Sequence, residues 1–368
     1  MSHTVALRQA QGEGSPAARL SAPNSHSLTA HLASTRRSRR DGSPYPPVRS
    51  YQTTTHLPGE AVMSKRIGIV GMGLMGQAFI TNLRKSQFTI QGFDLDPNRL
   101  DQLAEAGGHP VDTPADAAKD VDCLIVSLPT SDIAREVIFG ANGIAAGAAE
   151  GLYICDTTTA RPEDSERTYA ELKERGIPYM DSAVSGTSTM AQAGDLVVIA
   201  GGDIEDFEAC REFFAGFSRA AYHMGPAGSG ARTKLIINLI LAGNRLALAE
   251  GMVLGEKAGL EANNLLEVLK DGACSSKTMV DKGPKMIDAD YSKQGQVKVS
   301  LKDSRLMMDM GQKLGAPTMM IQVYSQIMQA ALEKGFAEKD TVAFYEIMRG
   351  LAGLEEREGI DDVPFGKE

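Results

Sequence analysis

From residue 66 onward the chain repeats one rhythm: a short apolar run, a break bearing glycine or proline, then an amphipathic stretch. The runs "RIGIVG", "FTIQGFD", "CLIVSLP", "LYICDTTT", "PYMDSAVSG", "DLVVIAGGD" and "AAYHMG" have the length and bounding residues of buried strands. Between them "QAFITNLRK" and "RPEDSERTYAELKERG" carry helical spacing. Such alternation predicts an α/β fold with a doubly wound sheet. After Gly230 the strand signals stop and helical patterns run to about residue 350, so an all-α domain is expected to follow. The domain boundaries read as 63–226 for the sheet, 227–355 for the helices and 356–368 for a tail.

The first of the later helices is "ARTKLIINLILAGNRLALAEG", residues 231–251. At ~100° per residue, Lys234, Asn238 and Arg245 fall within roughly 40° of one another, and the rest of the circumference is Leu, Ile and Ala. A helix of this kind is buried over most of its surface and turns one polar stripe to solvent or to a cleft. On the stretch alone, the ordinary reading of Lys234 is a lysine whose stem covers apolar surface while its amine reaches water.

Residues 1–62 differ from everything that follows: they hold no lysine, several arginines ("STRRSRR"), much Ser and Pro, and only Glu13, Asp41 and Glu60 as acids. Lacking apolar periodicity, they read as a disordered extension. An Arg- and Ser-rich, acid-poor leader is also the composition of an organelle transit peptide. A start at Met63, with "MSKRIGIVG" leading into the first strand, is the plainer expectation, and it places the protein in the cytoplasm.

Composition narrows the function classes. A length of 368 residues suits about two domains. A net charge of −9 argues against a nucleic-acid partner, whose phosphates need clustered positive charge. The longest oily segment is interrupted by Asn and Arg, so no membrane span is expected. Cysteines at 123, 155, 210 and 274 have neither metal-ligand spacing nor a disulfide framework, which implies packing residues in a reducing compartment and no metal.

The chemistry starts in the first turn. Gly71, Gly73 and Gly76 form G-x-G-x-x-G between a strand and a helix, the context in which glycines let backbone approach a pyrophosphate. The intervening Met72, Leu74 and Met75 belong to the same cofactor turn. Asp94 ends the next strand, eighteen residues beyond Gly76, where an acid accepts from the adenosine ribose hydroxyls. These features define a Rossmann-type half and favour NAD over NADP, because an acid repels a 2′-phosphate; Arg99 keeps NADP open. Leu128–Pro129, Thr157 to Thr159, and Ser185–Gly186 lie at strand ends, where ligands of such sheets bind. Each also has a plain structural role: Pro129 ends a strand, the threonines cap the helix near Pro162, and Ser185–Gly186 makes a turn.

Taken in order, "GMGLMG", "SLP", "DTTTARP", "DSAVSGTSTMAQAGDLVVIAGGD", "GPAGSGARTKLIIN" and "SLKDSRL" resemble the β-hydroxyacid dehydrogenases, the family of 3-hydroxyisobutyrate dehydrogenase and tartronate semialdehyde reductase, over roughly residues 65–350. The resemblance implies a Rossmann domain, a long interdomain helix, an all-α domain, and NAD(P)-dependent oxidoreduction at the β-hydroxyl of a small carboxylate. It makes Lys234 the catalytic lysine and Asn238 its companion. Ser185, Gly186 and Thr187 become the substrate-carboxylate loop, and Leu128, Pro129 and Thr159 become cofactor contacts. Lys302 falls at the nicotinamide end of the cleft. Helical domains in the family commonly form homodimers or homotetramers.

Thr187 stands where a second glycine is usual, and Ser182–Ala183 replaces Ala–Pro, which points to an atypical substrate. Arg245 is read as structural. A lysine whose pKa is lowered by burial and cationic neighbours serves as acid and as base near neutrality. The competing readings are a 6-phosphogluconate-dehydrogenase-like decarboxylating enzyme, for which the helical domain is short, an imine reductase, and a catalytically silent dinucleotide-binding interaction protein.

Overall fold

A computed structural model describes residues 49–52, 65–355 and 357. Nine strands form one sheet: β1 (Arg49–Gln52), β2 (Arg66–Val70), β3 (Thr89–Phe93), β4 (His109–Pro110), β5 (Cys123–Val126), β6 (Tyr153–Asp156), β7 (Tyr179–Ser185), β8 (Leu196–Gly201) and β9 (Ser218–His223). Their spatial order is β1-β9-β8-β7-β6-β5-β2-β3-β4. Strands β2 to β7 are mutually parallel, and the order reverses beside β2, where the chain passes to β3 on one side and β5 on the other. Ligands of doubly wound sheets bind outside the carboxyl ends at such a reversal.

β2 and β5 are nearly all apolar because helices cover both faces of the sheet. One face is filled by Phe79, Phe207, Phe214 and Phe217, the other by Ile138, Ile144, Leu172 and Tyr179. Cys123, Cys155 and Cys210 are free thiols buried in the first of these cores, and Cys274 is exposed.

β8 and β9 run against the other strands, because the short helix Ser188–Gln192 turns the chain straight back after β7. Two further strands depart from the sequence reading. Residues 1–62 show no strand pattern, yet Arg49–Gln52 pairs antiparallel with β9, which corrects the disordered reading for these four residues. A sheet edge recruits backbone groups whatever the side chains are, so periodicity carries no signal there. The remainder of 1–62 lies outside the described residues. β4 is a two-residue edge strand for the same reason.

From Ser229 the chain is helical, and the first helix, Ser229–Lys257, is 29 residues long, roughly 43 Å. Its beginning packs on β7 and β8, and the rest packs among helices Lys277–Ile287, Val297–Leu314, Met319–Ala331 and Phe344–Leu351. Leu246, Leu248, Ala249 and Met252 join Tyr324, Met328, Phe336 and Phe344 in the helical core. This spine helix, whose most apolar 18-residue window has a mean hydropathy of 1.4, is long and apolar enough to cross a membrane by length and composition alone. That corrects the reading that no run is apolar enough, since Asn238 and Arg245 interrupt the oily run and still leave one such window. Its apolarity has a use in the fold, since the spine buries side chains against both the sheet and the helical core.

Candidate active site

The first glycine turn is shaped by close packing. Gly71 has φ +91, and a Cβ there would stand 2.3 Å from the Ser127 carbonyl oxygen; one on Gly76 would stand 2.3 Å from the Gly71 carbonyl oxygen. A Cβ on Gly73, by contrast, would find only Arg99 Nη1, at 4.0 Å. Two glycines therefore fold the turn and the middle one faces open space. Helix Leu74–Lys85 begins at Gly73 with no side-chain cap, so its first amides are available to phosphate oxygens. Met72 is buried in the core, Met75 packs against it, and Leu74 is exposed. Such a cradle fits a dinucleotide.

Asp94 is buried at the end of β3. One oxygen accepts the Met72 N–H at 2.6 Å, the other accepts the Asp96 N–H at 3.0 Å, and Arg99 Nη1 lies 3.2 Å away. An ionised carboxylate has about four lone-pair sites, so capacity remains for ribose hydroxyls.

Beyond β5 and β6, the Leu128 N–H donates to the Thr158 hydroxyl (3.2 Å), joining two of the predicted loops. Lys302, on helix Val297–Leu314, closes this group from the helical side. Its amine donates to the carbonyls of Pro129 (3.0 Å) and Thr159 (3.2 Å) and pairs with Asp303 at 3.0 Å. The amine thus makes two hydrogen bonds to the strand-end loops and lies within ion-pair range of Asp303, so Lys302 clasps its helix to the strand ends.

The spine helix starts against β7. Asp181, buried in that strand, accepts the N–H groups of Gly228 (2.8 Å) and Ala231 (2.7 Å), supplying the cap that the helix's own first residues lack. Burial raises its pKa to about 7, against the pull of the helix amides. Gly230 allows the contact, since a Cβ there would stand 2.4 Å from the Asp181 carbonyl oxygen.

One turn on, Lys234 is half-buried and its amine has no hydrogen bond or ion pair among the described residues. Burial lowers its pKa to about 8; Asp303 opposes the shift, and Arg245 and Lys302 add to it. Asn238 donates from Nδ2 to Asp303 (3.0 Å), and its amide oxygen has no bond among the described residues.

The loop after β7 carries the remaining residues read as substrate-binding. Ser185 is half-buried, and Gly186 is exposed with φ +147. Thr187 caps helix Ser188–Gln192, its hydroxyl accepting the Met190 N–H at 3.2 Å, which is a structural task for a side chain read as facing substrate. Lys234, Asn238 and Lys302 thus converge through Asp303, and Lys302 links them to Pro129 and Thr159. Sequence reasoning missed Asp303, although it follows Lys302 directly in "LKD". Asp181 was also missed; its one signal was an acid inside the apolar run "PYMDSAVSG". Among the described residues no group of His, Cys, Asp and Glu is arranged to hold a metal.

A nucleotide-binding sheet joined by a spine helix to an all-α domain, with a lone amine near the junction, defines a dinucleotide-dependent oxidoreductase. Residues 66–225 match the family model described as the NAD binding domain of 6-phosphogluconate dehydrogenase. Residues 228–348 match the one described as NAD-binding of NADP-dependent 3-hydroxyisobutyrate dehydrogenase. The chain is 30% identical to human mitochondrial 3-hydroxyisobutyrate dehydrogenase over 77% of its own length and 86% of that protein's. It is 30% identical to the NAD-dependent L-serine dehydrogenase of Pseudomonas aeruginosa over 75% and 95% of the two chains. The structure of Mycobacterium tuberculosis 3-hydroxyisobutyrate dehydrogenase with L-serine superposes with a TM-score of 0.70 at 26% identity, covering 78% of this chain and all of that one. The chain belongs to the β-hydroxyacid dehydrogenase family and is an NAD(P)-dependent oxidoreductase.

Proposed function

We propose that this protein interconverts a small β-hydroxy acid and its semialdehyde or keto acid, with Lys234 as the general acid/base. The observation that carries this reading is the Lys234 amine: half-buried, without a protein partner, and lowered to about pKa 8. The nicotinamide cofactor supplies the hydride chemistry. Oxidation also releases the hydroxyl proton, and neutral Lys234 takes it; in reduction the ammonium returns it. Asn238, held by Asp303, orients the hydroxyl or carboxylate. Ser185 and the Gly186 amide hold the carboxylate, with Thr187 fixing the loop, and so restrict the approach of the reacting carbon.

NAD is the preferred cofactor on this reading, because Asp94 stands where a 2′-phosphate would bring negative charge. The working form is a homo-oligomer. Ile236 and Ile240 lie exposed one turn apart on the spine helix, and Met320 packs against Gly243 a turn further on, beside exposed Met319 and Val323. A second copy of the chain is the occupant that would cover this apolar strip.

The test is a panel of 3-hydroxyisobutyrate, glycerate, serine and threonate with NAD and with NADP, followed by cofactor absorbance. Turnover of at least one acid, faster with NAD, supports the proposal. Absence of turnover with all of them and both cofactors would leave a silent dinucleotide-binding protein.

A further inference from the structure

Asp156 ends β6 with its side chain buried, 4% exposed, at the carboxyl edge of the parallel strands. A carboxyl taken out of water needs donors or a cation to offset its lost hydration. Among the described residues no cation pairs with Asp156. Its oxygens are engaged by protein donors instead: Oδ1 accepts the Thr158 N–H at 2.9 Å, and Oδ2 accepts the Tyr179 hydroxyl at 3.1 Å. The first bond closes a tight turn over Thr157, and the second fixes the carboxyl from the neighbouring strand β7.

That turn sets Thr158 against the loop after β5. Thr158 Oγ1 accepts the Leu128 N–H at 3.2 Å, and a second bond joins the same two loops, from the Arg161 N–H to Ser131 Oγ at 3.4 Å. From the helical side, Lys302 holds the Pro129 and Thr159 carbonyls. The two loops are therefore held from the sheet by Asp156 and from the spine's neighbour helix by Lys302. They stand at the carboxyl ends of β5 and β6, beside the reversal in strand order, where a dinucleotide lies. Thr157 and Thr158 are 7% and 4% exposed, so an N–H released in this turn finds no water to replace its acceptor.

We propose that Asp156 is a positioning residue of the cofactor site: through Thr158 it holds the loops after β5 and β6 in the arrangement that the dinucleotide meets. It acts through Thr158 and not by contact with the cofactor. With this latch opened, the loops keep that arrangement only part of the time, and the apparent affinity for NAD falls by the same fraction. Bound NAD restores the arrangement, so turnover at saturating NAD changes little. The inference rests on the NAD(P) dependence of the family and not on the β-hydroxy-acid reading.

The experiment uses the full chain and compares wild type with Asp156→Ala, Asp156→Asn and Thr158→Val. NADH binding without substrate, followed by nicotinamide fluorescence, should weaken about tenfold in Asp156→Ala and in Thr158→Val, the scale of one buried N–H left without its acceptor. Asp156→Asn keeps an oxygen for the Thr158 N–H, and the Tyr179 hydroxyl can turn to Ser165 Oγ, buried close by without a partner. Its affinity should therefore stay within about threefold of wild type. In the protein without cofactor, the Leu128 and Thr158 amides should exchange with deuterium about tenfold faster in Asp156→Ala than in wild type. For the best acid of the panel above, KM for NAD should rise in Asp156→Ala while kcat at saturating NAD stays within about twofold. Should Asp156→Ala fail to fold, Thr158→Val carries the test, because it removes the Leu128 acceptor and leaves the carboxyl in place. A lowered Tm with unchanged NADH affinity, or a loss confined to kcat, overturns the positioning role. The binding and exchange measurements need no substrate, so they decide the matter even where every acid in the panel goes unoxidised. Wild type that binds no NADH removes the cofactor site and the proposal with it.

Discussion

Lys234 differs from an ordinary surface lysine only through its surroundings. Burial and two cations favour the neutral amine, one carboxylate favours the ammonium, and the balance falls at about pKa 8. Oxidation needs the neutral form, so its kcat/KM should rise with pH through a midpoint near 8, while reduction should fall across the same range. Asp303 is the group holding the value up. Asp303→Asn should therefore move the midpoint of the oxidation profile to lower pH, and a midpoint that stays or rises would show that another group titrates. At this scale the sequence marked Lys234 and Asn238 by their shared stripe and by resemblance. Asp303 was invisible, because no pattern in one chain says which acid on a polar helix turns inward.

The start of the spine helix depends on an acid 47 and 50 residues earlier in sequence than the amides it holds. Asp181 accepts two amides there while its pKa is raised to about 7 by burial. A carboxyl whose folded pKa exceeds its unfolded value binds more protons in the native state. Its contribution to stability is full below the unfolded pKa, about 4, and is lost as pH rises through about 7. Asp181→Asn keeps an oxygen acceptor and removes the titration, so the variant's Tm should change less than wild type's between pH 5 and 8. Equal slopes in the two proteins would show that Asp181 does not titrate in this window. The buried strands and the long helices were legible, because their side chains must match a period. Arg49–Gln52 and His109–Pro110 were not, since edge strands join through backbone groups alone.

Across the whole molecule, one apolar helix serves two domains and leaves part of its surface open. Ile236 and Ile240 are 51% and 54% exposed, high for such residues on a helix otherwise used for packing. Size-exclusion chromatography with light scattering should give a dimer or tetramer, and Ile240→Glu should shift it toward monomer; a monomeric wild type would remove the second copy from the account. The two-domain plan was legible from where strand signals stop, but the clasp by Lys302 was not, since it joins residues 173 positions apart. That clasp ties the loops bearing Pro129 and Thr159 to the helix bearing Asp303, the acid that Asn238 bonds; on the proposed reading, cofactor binding and proton transfer then belong to different parts of the chain. The direct test is Lys234→Ala, with NAD affinity and turnover of the best substrate measured on the same preparation. NAD affinity should stay within about twofold of wild type and turnover should fall by about a thousandfold or more, the upper part of the range for losing a general acid/base; turnover within tenfold of wild type, with NAD bound normally, would contradict the role of Lys234.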